Sequence, residues 1–505
     1  MMNGMEKSDS VIVAMKPTNK GMSVPAESVE RRAGPEGNPG SQSTRRTQGR
    51  GSVSQAVDRI RQFVGREPRE RLTALLHHVT VDALRWAFFE LKRDAAAGAD
   101  GVTWRMYEEG LEGRLADLHE RVHTGAYRAT PSRRVNIPKP DGGTRPLGVA
   151  AIEDKIVQKA VMETILTPIY EAEFLGFSYG FRPGRGAHDA LDALAVGITR
   201  RKTNWMVDCD IRAFFDTVSR EWLVRFLEHR IGDKRVIRLI IKWLRAGVME
   251  AGEWRDDLRG TPQGSVASPI LANVYLHYVL DLWFQKKWRS REVEGDAIIV
   301  RYADDFVVGF QYKEDAERFL SAVKERFRNF GLEIHPDKTR LIEFGRSAME
   351  DRRKQGLGRP ETFDFLGFTH YCTKTREQGK FQLGRKPVAK RMVRTLKRIK
   401  EALRRRMHES VRDTAQWLGK VVDGWLNYFA VPTAYRYLER FVLRLKRMWL
   451  LVLRRRSQKD HSTWADIARL TAQHWPRLEI RHPWPDRRFA VRAGVGATQG
   501  RSRMP

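Results

Sequence analysis

Apolar positions along this chain fall into two periods, and the shorter one marks its centre. Two runs, Ala297–Val300 and Phe306–Val308, flank the step Tyr302-Ala303-Asp304-Asp305. β-Branched and aromatic runs on both sides of a short polar step predict a β-hairpin with adjacent carboxylates at its tip. Successive strand side chains point to opposite faces, so one acid can face a cleft while its neighbour supports it from behind. A second strand is predicted at Trp205–Ile211, WMVDCDI, where Asp208 and Asp210 share a face. The longer period appears from Glu314 to Phe330, where Ala316, Phe319, Leu320, Val323, Phe327 and Phe330 form one stripe of a helix closed by Gly331. Leu332–Phe344 then reads as strand, turn at Pro336-Asp337-Lys338, and strand. Hairpin, helix and strand in this order make half of a split βαβ sheet.

Around this centre the pattern is less regular. Residues 1–52, rich in Gly, Ser, Pro and Arg, are expected to be a disordered basic leader. Val53–Glu112 reads as helices, with Leu72, Leu75, Leu76, Leu84, Phe88 and Leu91 near helical spacing. The adjacent His77 and His78 point different ways on a helix and are read as surface or core polar residues, not ligands. Arg133–Gly148 predicts a hairpin turning at Pro140-Asp141-Gly142-Gly143, with Lys139 and Arg145 on either side. Such a pair can clamp a triphosphate, or simply be solvated. Ala151–Glu173 is predicted helical. Ser178–Arg185, SYGFRPGR, precedes a helix from about Ala187. Its aromatic, Arg and Gly residues together, Arg182 and Arg185 among them, suit contact with a nucleic-acid backbone or base; a packed turn is the other reading. The Gly260–Ser265 loop offers Gln263 as donor and acceptor, and Ser268-Pro269 opens an apolar helix, Ile270–Phe284.

Charge narrows the partners. The 505 residues carry 92 Lys and Arg against 62 Asp and Glu, a formal +30. A protein this basic calls for a polyanion, nucleic acid first and an anionic membrane second. No 18-residue apolar run and no signal pattern occur. The only cysteines are Cys209 and Cys372, too few for a disulfide scaffold or a multi-cysteine zinc site. A soluble intracellular protein is expected. Between Phe381 and Arg456 there are 21 Lys and Arg against 5 Asp and Glu. Val388, Met392, Leu396, Ile399, Leu403 and Met407 keep helical spacing there. The cations on the other faces, among them Arg391, Lys397, Arg398, Arg404 and Arg405, are expected to bind nucleic acid. Trp417, Trp425, Tyr428 and Phe429 read mainly as core.

The acids supply candidate chemistry. Mg²⁺ takes carboxylate oxygen and keeps positions for water and phosphate. Two strands that bring Asp210 and Asp304 together would hold two ions about 4 Å apart, an arrangement for in-line phosphoryl transfer.

From roughly Ala83 to Arg456 the chain resembles the multifunctional reverse transcriptase/maturases encoded by bacterial group II introns. The motifs are AGADGVT, IPKPDGGTRPLG, SYGFRPGRGAHDAL, DIRAFFD, GTPQGSVASPILANVYLH, RYADDFVVGF, IHPDKTRLIEFG and FDFLGF, with LGKVVDGWLNYFA beyond. The resemblance implies an α+β right-hand polymerase. Fingers and palm, with antiparallel sheet, would span 53–380, a helical thumb/maturase region 381–456, and a basic, possibly DNA-binding end 457–505. It implies two Mg²⁺ held by Asp210 and Asp304, helped by Asp305 and the Ile211 carbonyl. Phe215 falls at the steric gate against a ribose 2′-hydroxyl, Lys139 and Arg145 at the triphosphate, and Gln263 beside the incoming sugar. Lys338 falls where the pyrophosphate leaving group is protonated, and Phe365, Leu366 and Gly367 fall in the primer grip. The implied partners are group II intron RNA, a DNA target or primer, and deoxynucleoside triphosphates, in the cytoplasm with the nucleoid. No membrane is implied, and a dimer is left open. The paired cysteines of the family's endonuclease are missing, so no second-strand nicking is expected. Three alternatives remain: a retron-like or defence reverse transcriptase, a non-catalytic RNA-folding factor, and a nucleotide cyclase.

Overall fold

The computed structural model describes residues 43–138, 144–250, 253–255, 265–375, 377–456 and 460–492. Lys139, the 139–143 turn, Gln263 and most of the expected leader lie outside them, as does the side chain of Arg145. The first helix, Ser43–Arg66, begins inside the expected leader. Val53, Ile60 and Val64 bury one stripe of it, and propagation from that anchor carries the helix towards the N-terminus. The helical spacing expected through Leu72 is interrupted there. After Arg66 the chain resumes as a single turn at Leu76–His78 and the helix Val81–Phe89, capped by Thr80 Oγ1 accepting from Ala83 N at 3.1 Å.

Among the described residues, strands are β1 Ser132–Pro138, β2 Thr144–Val149, β3 Trp205–Cys209, β4 Val248–Glu250, β5 Glu253–Arg255, β6 Ala297–Tyr302, β7 Asp305–Phe310, β8 Arg340–Glu343, β9 Phe363–Phe365, β10 Phe368–Lys374 and β11 Phe381–Pro387. They form three sheets, in the orders β2-β1-β4-β5, β6-β7-β3-β8 and β11-β10-β9. In the second sheet every neighbouring pair is antiparallel. β7 and β8 therefore run parallel with β3 between them, and the helix Lys313–Asn329 carries the chain from one to the other.

Both faces of that sheet are covered, which explains the unbroken apolar runs of β6 and β7. Val207, Ile299, Phe306 and Val308 face one core, under the helix Lys313–Asn329 with its buried Ala316, Phe319, Val323 and Phe327. Met206, Ile298, Val300 and Val307 face the other, which includes the helix Ala187–Arg200 and runs on into the helices Ala389–Arg405, Val411–Phe429 and Tyr435–Leu453. Trp425, Tyr428 and Phe429 are buried in this second core, as expected.

The last described stretch folds back on the body. Arg481 Nη1 donates to Asp423 Oδ1 at 2.8 Å, His482 Nε2 lies 2.8 Å from the Asn427 carbonyl, and Arg488 Nε lies 3.2 Å from Asp192 Oδ2. These three basic side chains of the expected DNA-binding end are engaged inside the molecule. No helix among the described residues is long and apolar enough to cross a membrane.

Candidate active site

The register of the central sheet assembles the acids. Asp208 pairs with Val307 and Cys209 with Phe306 across β3 and β7. One step on, Asp210 leaves β3 at the level of Asp305, which starts β7. Tyr302 pairs with Asp305, so the two-residue step Ala303-Asp304 makes the hairpin tip. Beyond β3 the chain stays paired: Arg212 N donates to the Glu333 carbonyl and His335 N to the Asp210 carbonyl, both at 2.8 Å, around an Ile211–Ile334 bridge. This pairing brings the turn with Lys338 alongside, and Lys338 Nζ lies 2.6 Å from Asp210 Oδ2.

The cluster repels itself. The Asp305 carboxyl is pushed up to about 7 by desolvation, then by the charges of Asp304, Asp210 and Asp208, with Lys338 opposing. Asp208 is pushed up to about 6 by burial, although Arg340 reaches within 3.6 Å of it. Hard oxygen donors crowded to the point of mutual repulsion fit a divalent cation of the Mg²⁺ type. Among the described residues no group of three or more His, Cys, Asp or Glu side chains is placed to hold a metal ion by itself. An open site completed by water and phosphate is what Mg²⁺ accepts.

Backbone strain marks the same place. Four described residues other than glycine have positive φ: Phe181 at 57°, Ala213 at 45°, Ala303 at 57° and Leu366 at 47°. Each costs about 1–3 kcal/mol, and such strain clusters at working sites. Ala303 is in the acid hairpin and Ala213 lies three residues after Asp210. Gly180, next to Phe181, lies against the hairpin so closely that a Cβ there would come 2.3 Å from Ala303 N. Leu366 follows Asp364, whose charge acts on Asp208. Phe215 sits half-buried on the short helix Phe214–Thr217 that Ala213 introduces.

Several expected nucleic-acid contacts are corrected. Arg182 is buried and paired with both oxygens of Glu171 at 2.9 Å, while also donating to the Leu175 and Ser178 carbonyls. With four of its five N–H donors so engaged and the side chain buried, this guanidinium braces a turn. Arg185 Nη1 donates to the Gly176 carbonyl at 2.6 Å, with the group over the Tyr179 ring. Phe365 is buried. The turn it leads into is fixed from behind: Tyr428 Oη donates to the Leu366 carbonyl at 2.7 Å, and Arg391 lies over the Tyr428 and Phe429 rings. Gly367, at φ 78°, has Arg391 Nη1 where a Cβ would sit. Arg391 is thus a brace for this turn. Lys397, Arg398, Arg404 and Arg405 are exposed along one helix, as expected.

Phe181, an aromatic of the SYGFRPGR stretch expected at nucleic acid, is 54% exposed in spite of its strained backbone. Sequence reasoning missed Arg301, Asp281 and Asn273, which support the hairpin from inside. Their signal was available: an arginine inside AIIVRY and an aspartate inside an apolar helix must find each other or leave the core.

Paired carboxylates on neighbouring strands, beside a lysine and strained turns, are an arrangement suited to phosphoryl transfer. The comparisons agree. A model of the reverse transcriptase (RNA-dependent DNA polymerase) family matches residues 137–370. Protein YkfC of Escherichia coli is 30% identical over 57% of this chain and 84% of its own. The uncharacterized 91 kDa protein in the cob intron of Schizosaccharomyces pombe is 38% identical over 49% of this chain and 31% of its own. Group II intron-encoded protein LtrA of Lactococcus lactis is 32% identical over 43% of this chain and 36% of its own. The chain thus spans about a third of the length of these two intron-encoded relatives. The chain belongs to the reverse transcriptase family, and it is similar to members that introns encode. Reverse transcriptase domains work with divalent metal ions.

Proposed function

We propose that this chain copies RNA into DNA by target-primed reverse transcription and binds its own group II intron RNA to assist splicing. The meeting of Asp210 with the Asp304-Asp305 hairpin carries this reading. Two bound Mg²⁺ would supply the charge that activates a primer 3′-hydroxyl and steadies the triphosphate. Asp210 and Asp304 hold them, with the Ile211 carbonyl beside and Asp305 in support. Phe215 screens against a ribose 2′-hydroxyl, and Gln263 meets the incoming sugar. Lys139 and Arg145 grip the triphosphate, and Lys338 delivers the proton that pyrophosphate needs on leaving. In this reading residues 53–380 act as fingers and palm and residues 381–456 as thumb. The turn at Leu366-Gly367 holds the primer. The exposed Lys397, Arg398, Arg404 and Arg405 meet phosphate.

The test is primer extension on an RNA template by Asp304→Asn. Extension should vanish while intron RNA is still retained on a filter. An Asp304→Asn protein that extends primers at the wild-type rate rejects the site.

A further inference from the structure

Arg301 precedes the hairpin tip by two residues, and its side chain is wholly enclosed. A guanidinium taken out of water is costly unless its donors are met. Here Nε and Nη2 grip the two oxygens of Asp281 at 2.8 and 2.5 Å. Nη1 reaches Asn273 Oδ1 and the Ala303 carbonyl, each at 2.9 Å. Asn273 in turn donates through Nδ2 to the Gly180 carbonyl at 2.7 Å. The Arg301 backbone is held too: its N donates to the Phe177 carbonyl and its carbonyl accepts from Tyr179 N, both at 2.9 Å. Asp281 ends a wide helical turn, His277–Asp281, and turns of that width change which side chains a helix presents.

Stability alone does not account for this bridge, since a buried ion pair is often no better than apolar packing of the same volume. What the bridge fixes is geometry. It ties the helix that bears Asn273 and Asp281, and the Gly180 turn, to the carbonyl of Ala303. Ala303 is held at φ 57°, and the next residue is Asp304.

We propose that Arg301 is the positioning residue of the acid hairpin: the Asp281–Arg301–Asn273 bridge keeps Ala303 left-handed and so aims Asp304 at Asp210. This rests on the reading of Asp304 as a metal-holding acid given above.

The test removes both charges together, Arg301→Met with Asp281→Leu, in the full chain. The melting temperature and the affinity for an RNA–DNA duplex should stay near wild type, and the nucleotide KM should move less than about twofold. Misplacement by about 1 Å costs on the order of 100-fold, so kcat should fall roughly 10- to 100-fold. Mn²⁺ binding to the nucleic-acid-free protein, read by electron spin resonance, should need severalfold more metal. Wild-type kcat together with wild-type Mn²⁺ binding overturns the proposal. Asp304→Asn run alongside separates two failures. If it still extends primers, the site reading is wrong; if it is inactive while the double variant matches wild type, only the positioning role is lost. Should the double variant not fold, Arg301→Lys decides, because it keeps the charge but not the two-armed grip. Its kcat should drop roughly tenfold, and an unchanged kcat overturns the proposal.

Discussion

Lys338 Nζ sits 2.6 Å from Asp210 Oδ2, an oxygen of a carboxylate proposed above to hold metal. One carboxylate oxygen cannot serve an ammonium group and a divalent ion equally, so the lysine competes with metal until substrate arrives. Lys338→Met should therefore lower the Mg²⁺ concentration for half-maximal extension. It should also lower kcat, roughly 100-fold if the lysine is the proton donor to pyrophosphate. Extension rates across a Mg²⁺ titration check both directions at once. A fall in kcat with a rise in Mg²⁺ requirement would make Lys338 a ligand-orienting group instead.

Phe181 invites the opposite experiment. A bulky side chain at φ 57° is strained, and this one recovers little by burial because it is 54% exposed. Phe181→Gly should raise stability by about 1 kcal/mol, read by urea denaturation. If the ring stacks on a base beside the hairpin, template–primer affinity should meanwhile weaken by roughly tenfold. Gain of stability with no loss of affinity would leave the strained phenylalanine without a role.

The central sheet was legible because a strand's period of two is strict, and because only a sheet covered on both faces tolerates runs like those of β6 and β7. The acid pairs stood out for the same reason, as charges punctuating apolar strands. Side-chain partners across long separations were not legible. Arg182 and Arg185 look like phosphate contacts until Glu171 and the Gly176 carbonyl are seen to occupy them. Arg391 reads as one more surface cation until the helix Val411–Phe429 presents Tyr428 and Phe429 beneath it. The basic end of the chain carries no sign of the Asp423 and Asp192 carboxylates that draw it inward.

Asp192 receives two arginines from distant segments. Arg385 Nη1 lies 3.0 Å from one oxygen and Arg488 Nε 3.2 Å from the other, and both Asp192 and Arg385 are buried. Asp192→Ala would leave the Arg385 guanidinium uncompensated, at a cost of about 3–5 kcal/mol. Arg488→Ala keeps the Asp192–Arg385 pair and should cost less than half of that. Urea denaturation of the two variants gives the comparison, and equal losses would show that the last helix, Pro485–Arg492, holds the aspartate as firmly as β11 does.

Beside that aspartate, His188 and His482 stack with ring centroids 3.8 Å apart and 16° between planes. Burial is the largest cause that pushes both down, His188 to about 2 and His482 to about 4, followed by the partner ring for His188 and by Arg488 for His482. Arg385, Arg488 and Arg481 face the pair, with Asp192 held by Arg385 and Arg488 and Asp423 by Arg481. The His482 ring is fixed in its neutral form, since Arg488 Nη2 lies 2.6 Å from Nδ1 while Nε2 meets the Asn427 carbonyl. The folded state therefore resists a proton that the unfolded chain accepts near 6.5. Stability from these rings is complete above pH 6.5 and is lost as pH falls through about 4 for His482 and on towards 2 for His188, with roughly 2 kcal/mol already gone at pH 5 from His482. Amide exchange should show residues 460–492 losing protection between pH 7 and pH 5, ahead of the central sheet. His482→Gln can keep both hydrogen bonds without titrating, so its loss of protection should be smaller. Equal pH dependence in wild type and His482→Gln would assign the effect to other groups.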